Sequence, residues 1–363
     1  MKCGIVGLPN VGKSTLFNCL SNAKALAANY PFATIEPNVG VIPVPDERIA
    51  KLEALVNPER VQQAIVEIVD IAGLVRGASK GEGLGNKFLA NIRETQAIIH
   101  VLRCFENDNI THVDGSIDPI RDKETIDLEL QIKDLESVEK KIEATKKRTR
   151  TGDKEAVKNL TVLETYKTHL ESGKSARSID LSDKEKEVVA DLMLLTDKPI
   201  LYICNVNEDE AIDGNSYVQA VREAIKGEDA ELLIIAAGME ADIMELDTFE
   251  ERQEFLQDMG LDEPGVKKVI RSAYALLDLQ TYFTAGVKEV RAWTIKEGFT
   301  APQAAGVIHT DFEKGFIRAE VIKYDDYVAL GSELACKEAG KLSVEGKEYI
   351  VQDGDVMHFR FNV

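Results

Sequence analysis

The sequence predicts an α/β fold: a doubly wound, mainly parallel sheet, an inserted antiparallel helical hairpin, and a small mixed β/α domain at the end. Three observations predict it. Short, wholly apolar runs alternate with helical patterns, as parallel strands covered on both faces require. A long strand-free interval with helical spacing interrupts that alternation. Beyond Leu279, aromatic-bearing strands and Gly-rich turns replace it.

Taken in order, Cys3 to Gly7 reads as a strand and Lys13 to Asn22 as a helix. Further strands are expected at "IVEIVD" (from Ile65), "AIIHVLRC" (from Ala97), "PILYIC" (from Pro199) and "ELLIIAA" (from Glu231). Between "AIIHVLRC" and "PILYIC", Leu128, Ile132, Leu135, Val138 and Ile142 keep helical spacing until "TGD" breaks it. Val157, Leu160, Leu163, Tyr166 and Leu170 then resume it, so two antiparallel helices should project from the sheet. Helical stretches from Phe249 to Leu279 close the first domain. After them "TYFTAG", "EVRAWTI", "GFIRAEVI" and "EYIVQDGDVMHFRF" read as strands and "APQAAGVIH" as a helix. The expected boundaries are 1–278 for the first domain, 118–196 for its helical insertion and 279–363 for the last domain.

Composition narrows the function. With 44% hydrophobic and 29% charged residues the chain reads as a soluble globular protein. No run approaches the roughly 18 apolar residues of a membrane span, and Pro9 breaks the N-terminal apolar run, so neither a membrane partner nor a signal peptide is expected. Cys3, Cys104 and Cys204 lie in strand-like runs and Cys19 in a helix-like one, with no zinc spacing; buried thiols in a reducing cytoplasm follow. A net charge of −19 excludes a general nucleic-acid coat. Against it stands "KKIEATKKRTR" at the hairpin turn, six basic residues to one acidic. Lys140, Lys141, Lys146, Lys147, Arg148 and Arg150 are candidate RNA phosphate contacts; the alternative is a solvated helix tip.

"GLPNVGKS", Gly7 to Ser14, matches G-x-x-x-x-G-K-[ST] between a predicted strand and a predicted helix. Glycines let backbone N–H groups close around phosphate oxygens, and the helix N-terminus favours negative charge there. Asn10, Val11, Gly12, Lys13, Ser14 and Thr15 should surround the phosphates of a purine nucleoside triphosphate, with Lys13 reaching the β- and γ-groups and Ser14 ligating Mg²⁺. Asp70, in "VDIAG" at a strand end, is placed to hold the metal through water, and the Gly73 amide to sense a γ-phosphate. Thr34, between the first helix and the next strand, is a candidate to close over the metal. The glycines at 77, 81, 83 and 85 make the loop that follows a plausible switch.

Together "GLPNVGKST", "ANYPFATIEPN", "DIAGLVRGASKGEGLGNKFL" and "NVNE" resemble the YchF family, also called Obg-like ATPases, within the translation-factor-related P-loop GTPases. The resemblance runs the whole chain and implies a G domain with a helical insertion and a C-terminal, β-grasp-like TGS domain. It also implies Mg²⁺-dependent hydrolysis of ATP in preference to GTP and association with the ribosome, the large subunit or its rRNA being the expected partner of a monomer.

Relatives in that class carry Asn-Lys-x-Asp where this chain has "NVNE". Their aspartate accepts from guanine N1–H and the 2-amino group; Glu208 stands one methylene away from that geometry and Val206 replaces the lysine. Guanine specificity should be lost, with adenine matched by the Asn205 amide and the backbone near Val206. Leu74 stands where Ras-type enzymes place a water-orienting glutamine. His112, in "FENDNITHV" beyond a strand end, is the candidate to replace it. The leading expectation is an ATP-hydrolysing switch; the alternatives are a ribosome- or RNA-binding adaptor with a largely structural nucleotide, and a conventional GTPase.

Overall fold

The structure is a computed structural model that describes residues 1–22, 38–71, 84–150 and 152–362, with no side-chain description for 84–87. Thr34, Gly73, Leu74 and the glycines at 77, 81 and 83 lie outside the described residues.

The elements in chain order are β1 (Lys2–Val6), α1 (Lys13–Asn22), β2 (Val39–Pro43), α2 (Glu47–Val56), β3 (Val61–Gln62), β4 (Ile65–Asp70), α3 (Leu84–Arg93) and β5 (Ala97–Arg103). Then come α4 (Pro119–Thr149), α5 (Lys154–Glu171), α6 (Asp183–Lys186), β6 (Ile200–Asn205), α7 (Ser216–Ala224), β7 (Glu231–Ile235), α8 (Ala237–Glu245), α9 (Phe249–Asp258) and α10 (Gly265–Leu276). The chain ends with β8 (Leu279–Ala285), β9 (Val290–Lys296), α11 (Ala301–Ile308), α12 (Thr310–Lys314), β10 (Phe316–Ile322), α13 (Tyr324–Leu330), α14 (Glu333–Glu338), β11 (Leu342–Glu345) and β12 (Val356–Phe361).

One sheet has the order β2-β4-β1-β5-β6-β7. Its pairings β1–β4, β1–β5, β5–β6 and β6–β7 are parallel. Every residue of β5 and β6 is buried, which is why both read as unbroken apolar runs. These central strands deliver Arg103 and Asn205 side by side, in register, at the C-terminal edge of the sheet. Ligands of open parallel sheets bind at that edge.

The hairpin is α4 and α5. Asp118 caps α4 by accepting from the amides of Ile120 and Arg121, with Pro119 in the first turn, and Asp153 caps α5 by accepting from those of Glu155 and Ala156. Val138, Ile142, Leu163, Tyr166 and Leu170 form the core between the helices. Leu128 and Val157, which share the apolar spacing, are instead exposed. Near the root of α4 the buried positions include polar Glu129 and Asp134. Asp134 is fully buried and accepts from Leu195 N (2.7 Å), Thr196 N (2.8 Å) and Thr196 Oγ1 (2.7 Å), tying the hairpin to the segment that leads into β6.

The second sheet has the order β11-β10-β12-β8-β9-β3. Its core packs Tyr282, Ile295, Ala304, Phe316, Val321 and Phe359, and the Tyr282 hydroxyl donates to Ala304 O at 3.0 Å. "EYIVQDG" is a turn rather than a strand, touching Thr300 only through an isolated bridge at Ile350. The buried Asp355 carboxylate accepts from Tyr349 Oη (2.6 Å) and Gln352 N (2.9 Å) and folds the segment back on itself.

The described residues fall into two compact units, one of Met1–Asn22, 38–40 and Glu67–Lys268, the other of Val41–Val66 and 269–362. The sequence gives no sign that Val41–Val66 groups with the C-terminal residues. Within the second unit Val61–Gln62 pairs parallel with Val290–Arg291, and Arg48 bridges Asp46 and Asp353 at 2.7 Å each.

Candidate active site

The phosphate loop joins β1 to α1, and its shape follows from a few residues. A Cβ on Gly7 would stand 2.7 Å from Val101 O. Gly12 has φ +91, and its Cβ would lie 2.1 Å from Asn205 Nδ2. Glycine is therefore required at position 12 by conformation and by space. Asn10 takes the left-handed conformation at φ 63 that asparagine tolerates, and its Nδ2 donates to Thr111 O at 3.0 Å. The Leu16 amide donates to Gly12 O, so the helix starts at the loop and its first amides have no intrahelical partner. Lys13 is buried and ion-paired with Asp70, which brings the two charged residues expected around a metal and phosphate into contact.

Asn205 lines the site and also holds it together. It is 5% exposed, its Nδ2 donates to Val11 O at 2.9 Å, and its Oδ1 accepts from Ala237 N at 2.9 Å. Its carbonyl accepts from Cys104 N, while the Val206 amide donates to Ile235 O. One Asn205 Nδ2–H and one Oδ1 lone pair are engaged in these bonds, and the Val206 N–H is taken by the backbone pairing. Asn205 is a clamp that fixes the phosphate loop to the start of α8.

Beside the loop opens a cavity of 690 Å³, lined by Gly12, Thr15, Val206 and Glu208 together with Phe105, Asn107, Ile110, Gly238, Met239 and Asp242. The last six were missed by sequence reasoning. "CFENDN", directly after a strand that ends level with "NVNE", was the available signal. Gly238 and Met239 belong to the first turn of α8, where amides lack intrahelical partners and point outward as donors. Glu208 is exposed at the cavity, and its neighbour Asn207 is engaged with Glu210 in a capping box.

His112 is 6% exposed, not free in a loop. The Asp114 amide donates to its Nδ1 at 3.1 Å, so Nε2 carries the proton and donates to Asp122 Oδ2 at 2.8 Å. Both ring nitrogens are engaged, and His112 in this arrangement anchors the loop to α4 instead of presenting itself to a water. Arg121 lies 3.3 Å from Asp122 Oδ1 and 3.6 Å from Asp114 and supplies the local positive charge.

The basic patch is thinned by pairing. Lys141 donates to Val188 O and pairs with Asp191, Arg148 pairs with Asp153 at 2.8 Å, and Lys146 lies 3.9 Å from Glu143. Lys140, Lys147 and Arg150 are exposed, with no ion pair among the described residues. The five cysteines are all buried, and none is in a disulfide. Hydrogen bonding with Cys204 and burial push the Cys104 thiol far up, which removes it as a nucleophile.

Residues 2–159 match the family described as "50S ribosome-binding GTPase", and residues 279–362 match YchF-GTPase_C, described as a protein of unknown function. The Haemophilus influenzae protein named "Ribosome-binding ATPase YchF" is 60% identical over 100% of this chain and 99% of its own length. The Bacillus subtilis protein of the same name is 54% identical over 100% of both chains. The solved structure titled as the Schizosaccharomyces pombe YchF GTPase superposes with a TM-score of 0.90 at 40% identity, covering 99% of this chain and 97% of that one. The phosphate loop, the altered base-reading motif and the hairpin insertion thus sit in a chain similar to these proteins from end to end, and the chain belongs to the YchF family.

Proposed function

We propose that this protein hydrolyses ATP in preference to GTP and that its nucleotide state sets its affinity for the ribosome, through the large subunit or its rRNA, as a cytoplasmic monomer. The observation that carries the nucleotide reading is the cavity beside the phosphate loop. The carboxylate that reads guanine elsewhere in the class is absent, and Glu208 stands in its place, longer and solvent-facing. What faces the cavity instead are backbone groups, the Gly238 and Met239 amides as donors. Adenine supplies ring-nitrogen acceptors to such donors without needing a carboxylate.

Ser14 and Asp70 offer hydroxyl and carboxylate oxygens, the donor set a hard divalent cation takes, and they fit Mg²⁺. In their present arrangement the Lys13 ammonium pairs with Asp70 where a metal-linked charge would sit. The cation would neutralise phosphate charge, while Lys13 and the loop amides bind and orient the γ-group.

The names of the relatives support the ribosome, and the exposed Lys140, Lys147 and Arg150 support a phosphate contact at the hairpin tip. Titrating ribosomes with the protein in ATP, in ADP and without nucleotide, at several salt concentrations, tests the switch. Affinities in ATP and ADP should differ by about tenfold, an ordinary coupling between two sites. Replacing Lys140, Lys147 and Arg150 with glutamine should flatten the salt dependence by roughly 0.7 to 0.9 in log–log slope for each phosphate contact removed. Equal affinities in every nucleotide state would leave the nucleotide a structural component of an adaptor.

A further inference from the structure

Arg103 is among the largest fully buried side chains of the described residues, at 1% exposure. It ends β5, level in register with Asn205. Its guanidinium donates three ways: Nε to Phe105 O at 3.2 Å, Nη1 to Ile110 O at 2.9 Å and Nη2 to Asn107 O at 3.3 Å. Its Cζ also lies 4.5 Å from the centre of the Phe105 ring. Among the described residues it forms no ion pair; carbonyl dipoles and a ring face meet the charge directly, and the Asp122 carboxylate supports it from further off.

That is a costly way to pin a loop, since a buried charge with no counter-ion in contact loses its hydration. An apolar side chain would anchor a surface loop at lower cost. What the guanidinium adds is direction: a planar fork holds three carbonyls along fixed vectors, which neither an apolar group nor a lysine reproduces. The three carbonyls belong to Phe105, Asn107 and Ile110, residues that line one side of the cavity. One residue further on, Thr111 O accepts from Asn10 of the phosphate loop. Asn205 fixes the phosphate side of the cavity and Arg103, at the same level of the sheet, fixes the wall facing it.

We propose that Arg103 is a positioning residue for nucleotide recognition, holding the wall from Phe105 to Ile110 in the shape that receives the base and ribose. The proposal rests on the reading of this cavity as the nucleoside site. It predicts an effect on the nucleoside and not on the phosphates, because a wall that is correctly shaped only part of the time reduces affinity by that fraction.

The test uses the full chain and measures binding of ATP and of inorganic tripolyphosphate by calorimetry, with steady-state hydrolysis beside it. For Arg103→Gln, ATP affinity should fall about tenfold, as for a wall competent roughly a tenth of the time. KM should rise with it, while kcat at saturating ATP and tripolyphosphate affinity stay within a factor of two. Should Arg103→Gln fail to fold, Arg103→Lys, which keeps the charge and loses the fork, is measured the same way, with the same pattern expected at smaller size. Unchanged ATP affinity, or an equal loss for ATP and tripolyphosphate, would overturn the positioning role. Gly238→Phe tests the underlying reading separately. A Cβ there meets nothing within 4 Å, so the added side chain starts from open space at a residue that lines the cavity. Should Gly238→Phe leave ATP binding intact, the cavity is not the nucleoside site and the proposal falls with it, whatever the Arg103 variants show.

Discussion

At the scale of single residues, histidines show how far a sequence carries. His100 and His112 differ in sequence by their neighbours, one within an apolar strand-like run and one in a polar loop. The strand residue is 1% exposed, as its neighbours suggested, while the loop residue is 6% exposed and clasped by Asp122 from an element that follows it. No local pattern announces a partner ten residues away on another element. His112→Ala should therefore lower stability by about 1–3 kcal/mol, the usual cost of a buried carboxylate left without its donor, read as a shift in the denaturation midpoint. Lost kcat at unchanged stability would return His112 to a direct part in hydrolysis. His100 supplies a pH prediction. Burial holds its pKa down to about 3, with Lys123 and Arg177 lowering it further and Glu228 opposing them. The unfolded chain binds a proton there below about 6.5 and the folded chain does not, so stability is lost as pH falls from about 6.5 toward 3. In His100→Phe, the pH dependence of unfolding over that window should lose about one proton, or roughly 1.4 kcal/mol per pH unit at most. An unaltered slope would show that His100 does not titrate in that window.

At the scale of elements, legibility followed periodicity. Strands covered on both faces and the helices of the hairpin could be read because burial imposes a repeat on the sequence. The start of the helix after the phosphate loop, Lys13, was legible because the loop fixes where it begins. "EYIVQDG" failed for the opposite reason: its alternation satisfies a strand pattern, yet a buried Asp355 bends it into a turn. Val61–Gln62 was invisible because two residues carry no period, and their partner lies beyond residue 289. The hairpin root depends on a residue that hydrophobic spacing ignores, Asp134. Its burial raises the carboxyl pKa, and three accepted hydrogen bonds oppose that. Asp134→Ala should destabilise the protein by about 3 kcal/mol by orphaning two buried amides and a hydroxyl, measured by chemical denaturation. A cost below about 0.5 kcal/mol, the range of an ordinary surface substitution, would mean that the root is held elsewhere.

At the scale of the whole molecule, the phosphate loop was legible because its chemistry prescribes residue types at fixed spacing. The walls of the cavity were not, since Phe105 and Met239 meet there only once β5, β6 and β7 lie side by side. "NVNE" gave no local sign of the clamp it contains: Asn205 ties down the phosphate loop and the Val206 amide pairs with the Ile235 carbonyl. Under the function proposed above, adenine preference is a property of the assembled cavity, with Glu208 too long for the guanine edge and the first turn of α8 supplying donors. Calorimetric titration of the intact protein with ATP and with GTP, each with Mg²⁺, tests that claim most directly. The account predicts tighter binding of ATP, by about tenfold or more for a site lacking the paired guanine contact. GTP binding equal to or tighter than ATP would contradict it.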